Sequence, residues 1–204
     1  MKRLVLTLVL LTAAVSYAQA ANNREAGQWI ARAGFGAVLP DGDGLTISGV
    51  GTVEADDAYS LTLTGAYMIT NQFAVELLAS YFWTHDIELD GAKIGETKQL
   101  PPTLSVQWHT PSLGALQPYL GLGVNYTLFF SEKVDPGVGD NLSLDNSIGI
   151  AAQIGFDYDI NENWLVNLDL RWIDIETDAK LDGADLGTVE IDPYVVSVNV
   201  GYKF

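Results

Sequence analysis

Along most of its length the chain alternates apolar and polar residues with a period of two, the spacing at which successive side chains of a strand point to opposite faces. The clearest run is the last. From Tyr194 to Phe204 the even positions are Tyr194, Val196, Val198, Val200, Tyr202 and Phe204, while the odd positions include Ser197, Asn199, Gly201 and Lys203. The same contrast sets Leu120, Val124, Tyr126, Leu128 and Phe130 against Gly121, Gly123, Asn125 and Thr127, and Ile148, Ile150, Ile154, Phe156 and Tyr158 against Gly149, Gln153, Gly155 and Asp157. Eight strand segments are predicted, at about 29–39, 58–69, 72–85, 98–110, 117–130, 146–160, 163–177 and 189–204, and none shows a convincing helical period.

The connections alternate in length. Three are tight, at Thr70-Asn71, Thr110 to Leu116 and Asn161-Glu162; the others, near 40–57, 86–97, 131–145 and 178–188, are longer and rich in Asp, Glu and Gly. Short turns on one side and long loops on the other are the mark of an up-and-down outer-membrane barrel, with periplasmic turns and extracellular loops. The predicted fold is therefore all-β: an eight-stranded antiparallel transmembrane barrel.

A secreted barrel of the lipocalin type alternates equally well but points its apolar face inward. The second face separates the two. Here it is dominated by Gly, Ala, Ser, Thr, Asn and Gln, small enough for a narrow eight-stranded lumen and too polar to be a soluble exterior exclusively. The first face is bounded by Tyr, Trp and Phe, which favour membrane interfaces. Tyr202 and Phe204 end the chain as the aromatic signal that the outer-membrane insertion machinery recognises.

The N-terminus fits export. Met1-Lys2-Arg3 precedes an apolar run from Leu4 to Val15, and Ala18-Gln19-Ala20 has the small-x-small form of a cleavage site. Residues 1–20 read as a signal peptide that is removed, and 21–204 as a single barrel domain. Nothing later reaches the ~18 consecutive apolar residues that a membrane helix needs. The chain contains no cysteine, so its framework rests on hydrogen bonds and lipid rather than disulfides. With 10 basic and 26 acidic residues the net charge is −16, which argues against nucleic acid as a partner. Acidity combined with a mean hydropathy of +0.16 requires the charges to be segregated, and they fall in the long connections.

With the aromatic-bounded face toward lipid, the inward residues near the periplasmic end include Arg32, Glu76, His109, Asp157, Asp169 and Lys203, with Arg171 a step higher. Charges of both signs in a confined space must pair to offset desolvation, as a salt-bridged plug or as an ion or proton path. Toward the loops the inward positions become apolar, at Leu78 and Phe82 on the third segment and Ile173 and Ile175 on the seventh. That gradient suits an apolar solute entering from outside, or else the simple packing of a narrow mouth. Pro101 and Pro102 cannot donate to a ladder, so they imply a local gap in pairing at the start of the fourth segment: a lateral opening to lipid, or a bulge where the strand leaves the membrane. No catalytic, cofactor or metal motif accompanies these residues, and by parity the two histidines, His85 and His109, fall on opposite faces. A non-enzymatic barrel is expected.

Several blocks in order resemble the OmpW family of small outer-membrane barrels: Arg32-Ala33-Gly34, Val75 to Ala79, Leu100 to Leu104, Gln107-Trp108, Pro118-Tyr119, Asn125-Tyr126-Thr127, Trp164 to Asn167, Asp192-Pro193 and Gly201 to Phe204. The resemblance covers essentially the whole mature chain, least so in the unusually acidic loops. It implies an eight-stranded barrel in the Gram-negative outer membrane, with a hydrophobic channel open outward and closed toward the periplasm, which admits small hydrophobic molecules and releases them sideways into the membrane. Leu78 keeps the apolar character of the family's gate region, whereas Arg171 stands where an apolar or aromatic residue would suit it. The partners implied are outer-membrane lipids and lipopolysaccharide, small hydrophobic solutes and the insertion machinery. The alternative is a structural or adhesive barrel whose acidic loops bind external partners or the lipopolysaccharide layer.

Overall fold

The structure is a computed structural model that describes residues 24–204; the leader expected at 1–20 lies outside the described residues. Among the described residues fifteen strands follow one another without a helix. In chain order these are β1 (Trp29–Leu39), β2 (Leu45–Ile47), β3 (Gly51–Ala55), β4 (Ala58–Met68), β5 (Phe73–Ser80), β6 (Trp83–Leu89), β7 (Ala92–Leu100) and β8 (Thr103–His109). They continue with β9 (Leu116–Val134), β10 (Leu142–Leu144), β11 (Ser147–Asp159), β12 (Trp164–Ile173), β13 (Glu176–Leu181), β14 (Ala184–Glu190) and β15 (Tyr194–Lys203).

Eight of them close a barrel through antiparallel neighbours, in the order β1, β4, β5, β8, β9, β11, β12, β15 and back to β1. Closure leaves no sheet edge, the condition for a β-structure to sit in hydrocarbon. Alternation then sorts the side chains. Outward residues such as Phe35, Leu122 and Ile148 are 73%, 72% and 74% exposed, a surface that lipid covers and water would not tolerate. Aromatic girdles bound this band. At the short-turn end Trp29 lies beside Tyr67 and Trp164 beside Tyr202, each pair with ring centroids 4.9 Å apart; at the other end Tyr59, Tyr81, Tyr126 and Tyr194 face outward.

The long connections differ from the expectation of loops. The β6–β7 hairpin continues the third and fourth barrel strands upward, with β3 and then β2 added on one side and the upper part of β9 on the other. A separate sheet, β10-β13-β14, stands above β12 and β15. The reason is turn chemistry. At Asp90-Gly91 the φ angles are 50° and 79°, and at Asp182-Gly183 they are 52° and 82°, the doubly left-handed geometry of a tight hairpin turn. These acidic stretches are therefore two-faced strands, with carboxylates outside and apolar residues within.

A second departure lies in the third predicted segment, 72–85, which is two strands broken at Tyr81-Phe82. The break shifts the side-chain alternation by one: Ala74, Glu76 and Leu78 are buried below it, and Trp83, His85 and Ile87 above it. Two sequence readings are corrected as a result. Phe82 faces the outside of the wall, edge-on to Phe130 at 6.1 Å and with Lys98 Nζ 4.7 Å from its ring centre. His85 and His109 both face inward, 2% and 0% exposed.

Candidate functional site

The lumen has three layers. The lowest is ionic. Arg32 on β1 grips Asp157 on β11 with two bonds, Nε to Oδ1 at 3.0 Å and Nη2 to Oδ2 at 2.7 Å, and reaches Glu76 on β5 with Nη1 at 3.1 Å. Glu76 accepts a second bond from Arg171 on β12 at 2.7 Å, and Arg171 lies 3.5 Å from Asp169. Lys203 on β15 pairs with Asp159 at 3.0 Å. All six residues predicted for the polar plug are buried on the inner face, and Arg32, Glu76, Asp157, Asp169 and Arg171 form one connected group.

Sequence reasoning missed four members. Arg24, ahead of β1 and outside any periodic run, donates to Asp157 at 2.7 Å and to Asp159 at 3.2 Å, joining Lys203 to the rest. The Tyr119 hydroxyl donates to Asp169 at 2.8 Å and accepts from Asn167 Nδ2 at 2.9 Å. The inward parity of Gln117 and Gly121 on β9, and of Asp157 on β11, would have found Tyr119 and Asp159. Among the described residues four cations meet four carboxylates in this buried group. The space left beside Glu76, Tyr119 and Arg171 is about 10 Å³, no more than one water needs. The barrel is blocked here.

Above the ions lies an apolar layer. Ile173 and Ile175 are 0% and 1% exposed and pack with Val38, Ala58, Trp83 and Val195, while Leu78 stands below them at the upper rim of the ionic group. None of the four residues predicted to line the channel borders the cavity above: Ile173 and Ile175 pack in the layer beneath it, Leu78 lies lower beside the ionic group, and Phe82 is outside the wall.

The third layer holds the space itself, a cavity of about 280 Å³ within the sheet extension. Its walls are almost wholly apolar, drawn from Ile87, Phe129, Leu144, Ala179, Val189 and Ile191 among others. At its outer end stand Val50 and Val138, 58% and 37% exposed near the hairpin tips. Much of this lining comes from stretches that the charges had marked as loops. The signal was present in Thr177, Ala179 and Leu181 alternating with Glu176, Asp178 and Lys180. Outside, Lys93, Lys133 and Lys180 pair with Asp86, Glu96 and Asp145 at 2.7, 2.6 and 2.9 Å.

The prolines do interrupt the wall. Among the described residues no ladder pair joins the third and fourth barrel strands between Leu78↔Thr103 and Trp83↔Gln99. Pro102 keeps its other neighbour, its carbonyl accepting from Tyr126 N at 3.0 Å. The gap is thus confined to one seam.

With this geometry established, comparison with known proteins decides the family. The OmpW family profile matches residues 25–204. The chain belongs to the OmpW family. Outer membrane protein W of Vibrio cholerae is 38% identical over the full length of both chains. The crystal structure of the outer membrane protein OprG from Pseudomonas aeruginosa superposes with a TM-score of 0.78 at 36% identity, covering 90% of this chain and 98% of OprG. The dibenzothiophene metabolism operon protein PahQ of Pseudomonas aeruginosa is 29% identical over 76% of this chain and 75% of its own. This OmpW-family chain is an eight-stranded barrel of the Gram-negative outer membrane.

Two tests follow from the layers. Glu76→Ala removes the carboxylate shared by Arg32 and Arg171; it should lower unfolding stability in vesicles by about 3–5 kcal/mol in a urea titration, as expected when buried charges lose their partner. His85 lies in the extension above the membrane, its Nδ1–H donating to the Asp56 carbonyl and its Nε2 accepting from Gln99, both at 2.7 Å. Burial holds its pKa below the ordinary 6.5. The unfolded chain therefore binds the proton first, so stability is whole above 6.5 and is lost as pH falls toward the lower folded value. The urea midpoint should fall between about pH 8 and about pH 5, and that fall should shrink in His85→Gln.

Proposed function

We propose that this barrel passes small apolar molecules passively: they enter the upper cavity from outside and leave through the wall gap at Pro101-Pro102 into the membrane. The observation that carries this reading is the pairing of an apolar cavity of about 280 Å³, open toward the hairpin tips, with a lumen closed beneath it by ion pairs. A solute that buries ~200 Å² of apolar surface there gains roughly 5 kcal/mol, with no polar group of the lumen to draw it further down. The relative named for a dibenzothiophene metabolism operon supports an apolar cargo. The outer carboxylates favour a second reading, a structural or adhesive barrel that binds partners or lipopolysaccharide through its acidic face.

Ala179, 4% exposed on the cavity wall, offers the test. Ala179→Trp fills the cavity without adding charge. Binding of the apolar dye N-phenyl-1-naphthylamine to the purified barrel should fall at least tenfold, and dye entry into intact cells should drop with it. Unchanged entry, combined with lost adhesion when the hairpin tips are exchanged, would favour the second reading.

A further inference from the structure

The cavity and the wall gap do not run together: neither Pro101 nor Pro102 lines the cavity, and an apolar layer lies beneath it. Trp83, the first residue of β6, is 1% exposed and belongs to the apolar layer that includes Phe129 and Ile191, both of which also line the cavity. It stands in the layer beneath the cavity and is not one of the residues that line it. It is also the first residue paired above the gap, opposite Gln99.

The local bonding singles it out. Its indole Nε1–H donates to Ser80 Oγ at 2.8 Å. Ser80 and Trp83 flank Tyr81-Phe82, the two residues that interrupt the strand, so this bond staples the break on its inner side. On the other flank the break is pinned to β4: Tyr81 N donates to the Leu61 carbonyl at 3.0 Å, and Ser60 Oγ lies 3.2 and 3.3 Å from the Tyr81 and Phe82 carbonyls. Among the described residues no such bond ties Tyr81 or Phe82 to Pro101 or Pro102. The far edge of the indole rests over Gly36 of β1, where a Cβ would stand 2.9 Å from Cη2, so the bare backbone makes room for the ring.

We infer that Trp83 is a latch between the cavity and the lateral exit, held shut by Ser80. This rests on the passage proposed above and names the residue that controls it. A buried indole N–H that loses its acceptor is costly, so the closed position is set by one hydrogen bond plus the packing of the ring over Gly36. When the ring swings away, the layer beneath the cavity opens toward the interrupted seam at Pro101-Pro102.

The experiment measures the initial rate at which N-phenyl-1-naphthylamine enters the outer membrane of intact cells, where lipopolysaccharide slows direct entry, beside its affinity for the purified barrel. Heat-modifiable migration confirms that each variant is folded. Ser80→Ala leaves the core untouched and should raise the entry rate about fivefold, the factor that one net hydrogen bond is worth. Trp83→Phe keeps a ring but no donor and should do the same, and the double variant should be no faster than either single one, since both remove the same bond. Ser80→Thr, which retains the hydroxyl, should keep the parent rate. Dye affinity should stay at the parent value in all four. Single variants at or below the parent rate with affinity intact would overturn the latch alone, as would effects that add in the double variant. A parent that neither binds dye nor speeds its entry would instead overturn the passage, and the latch with it.

Discussion

Backbone amides and carbonyls that enter hydrocarbon find no water to bind, and each one left unpaired costs several kcal/mol. In this chain that constraint is met by closing eight strands on themselves, and the closure dictates the rest. Every outward side chain must then suit lipid, and every polar one must turn inward into a lumen too narrow to hydrate it. Ions inside such a lumen persist only as mutual partners. The network of Arg32, Glu76, Asp157 and Arg171, extended by Arg24, Lys203 and Asp159, is the consequence, and it seals the axis of the barrel. The ladder between the third and fourth barrel strands is interrupted where the same rule is relaxed, at two adjacent residues that have no N–H to pair.

The membrane-embedded part was legible in the sequence because period-two alternation survives wherever one face meets lipid and the other meets the lumen. Tyr194 to Phe204 shows its inner and outer faces without help, and the ion network could be named from parity alone apart from Arg24 and the members of β9, β11 and β12 passed over. Reading failed where alternation was broken or masked. Tyr81-Phe82 slips the register by one, so Phe82 was assigned inward and His85 outward, each the reverse of its place. Above the membrane the outward residues face water and become Asp, Glu and Lys, so strands such as β13 and β14 looked like solvated loops. Their inner faces, with Ala179 and Val189, carry the cavity.

The barrel thus divides its length between two kinds of physics. Electrostatic pairing fills the lower half, where geometry is fixed by bidentate contacts and leaves no useful volume. The hydrophobic effect governs the upper half, where apolar faces from several small sheets meet but do not fill the space between them. Between the halves the packing of Ile173, Ile175, Trp83 and Val195 separates the cavity from the charges below. The ion pairs close the axis below the cavity, so the passage proposed above turns to the side, toward the interrupted seam at Pro101-Pro102.

The central claim is that the upper cavity receives an apolar molecule, and anomalous scattering tests it most directly. Crystals of the barrel soaked with 1-bromonaphthalene should show a bromine peak enclosed by Ile87, Phe129, Ala179 and Val189, with none among Arg32, Glu76 and Asp157. A cavity filled by ordered water, with bromine only on the lipid-facing surface, would contradict the account.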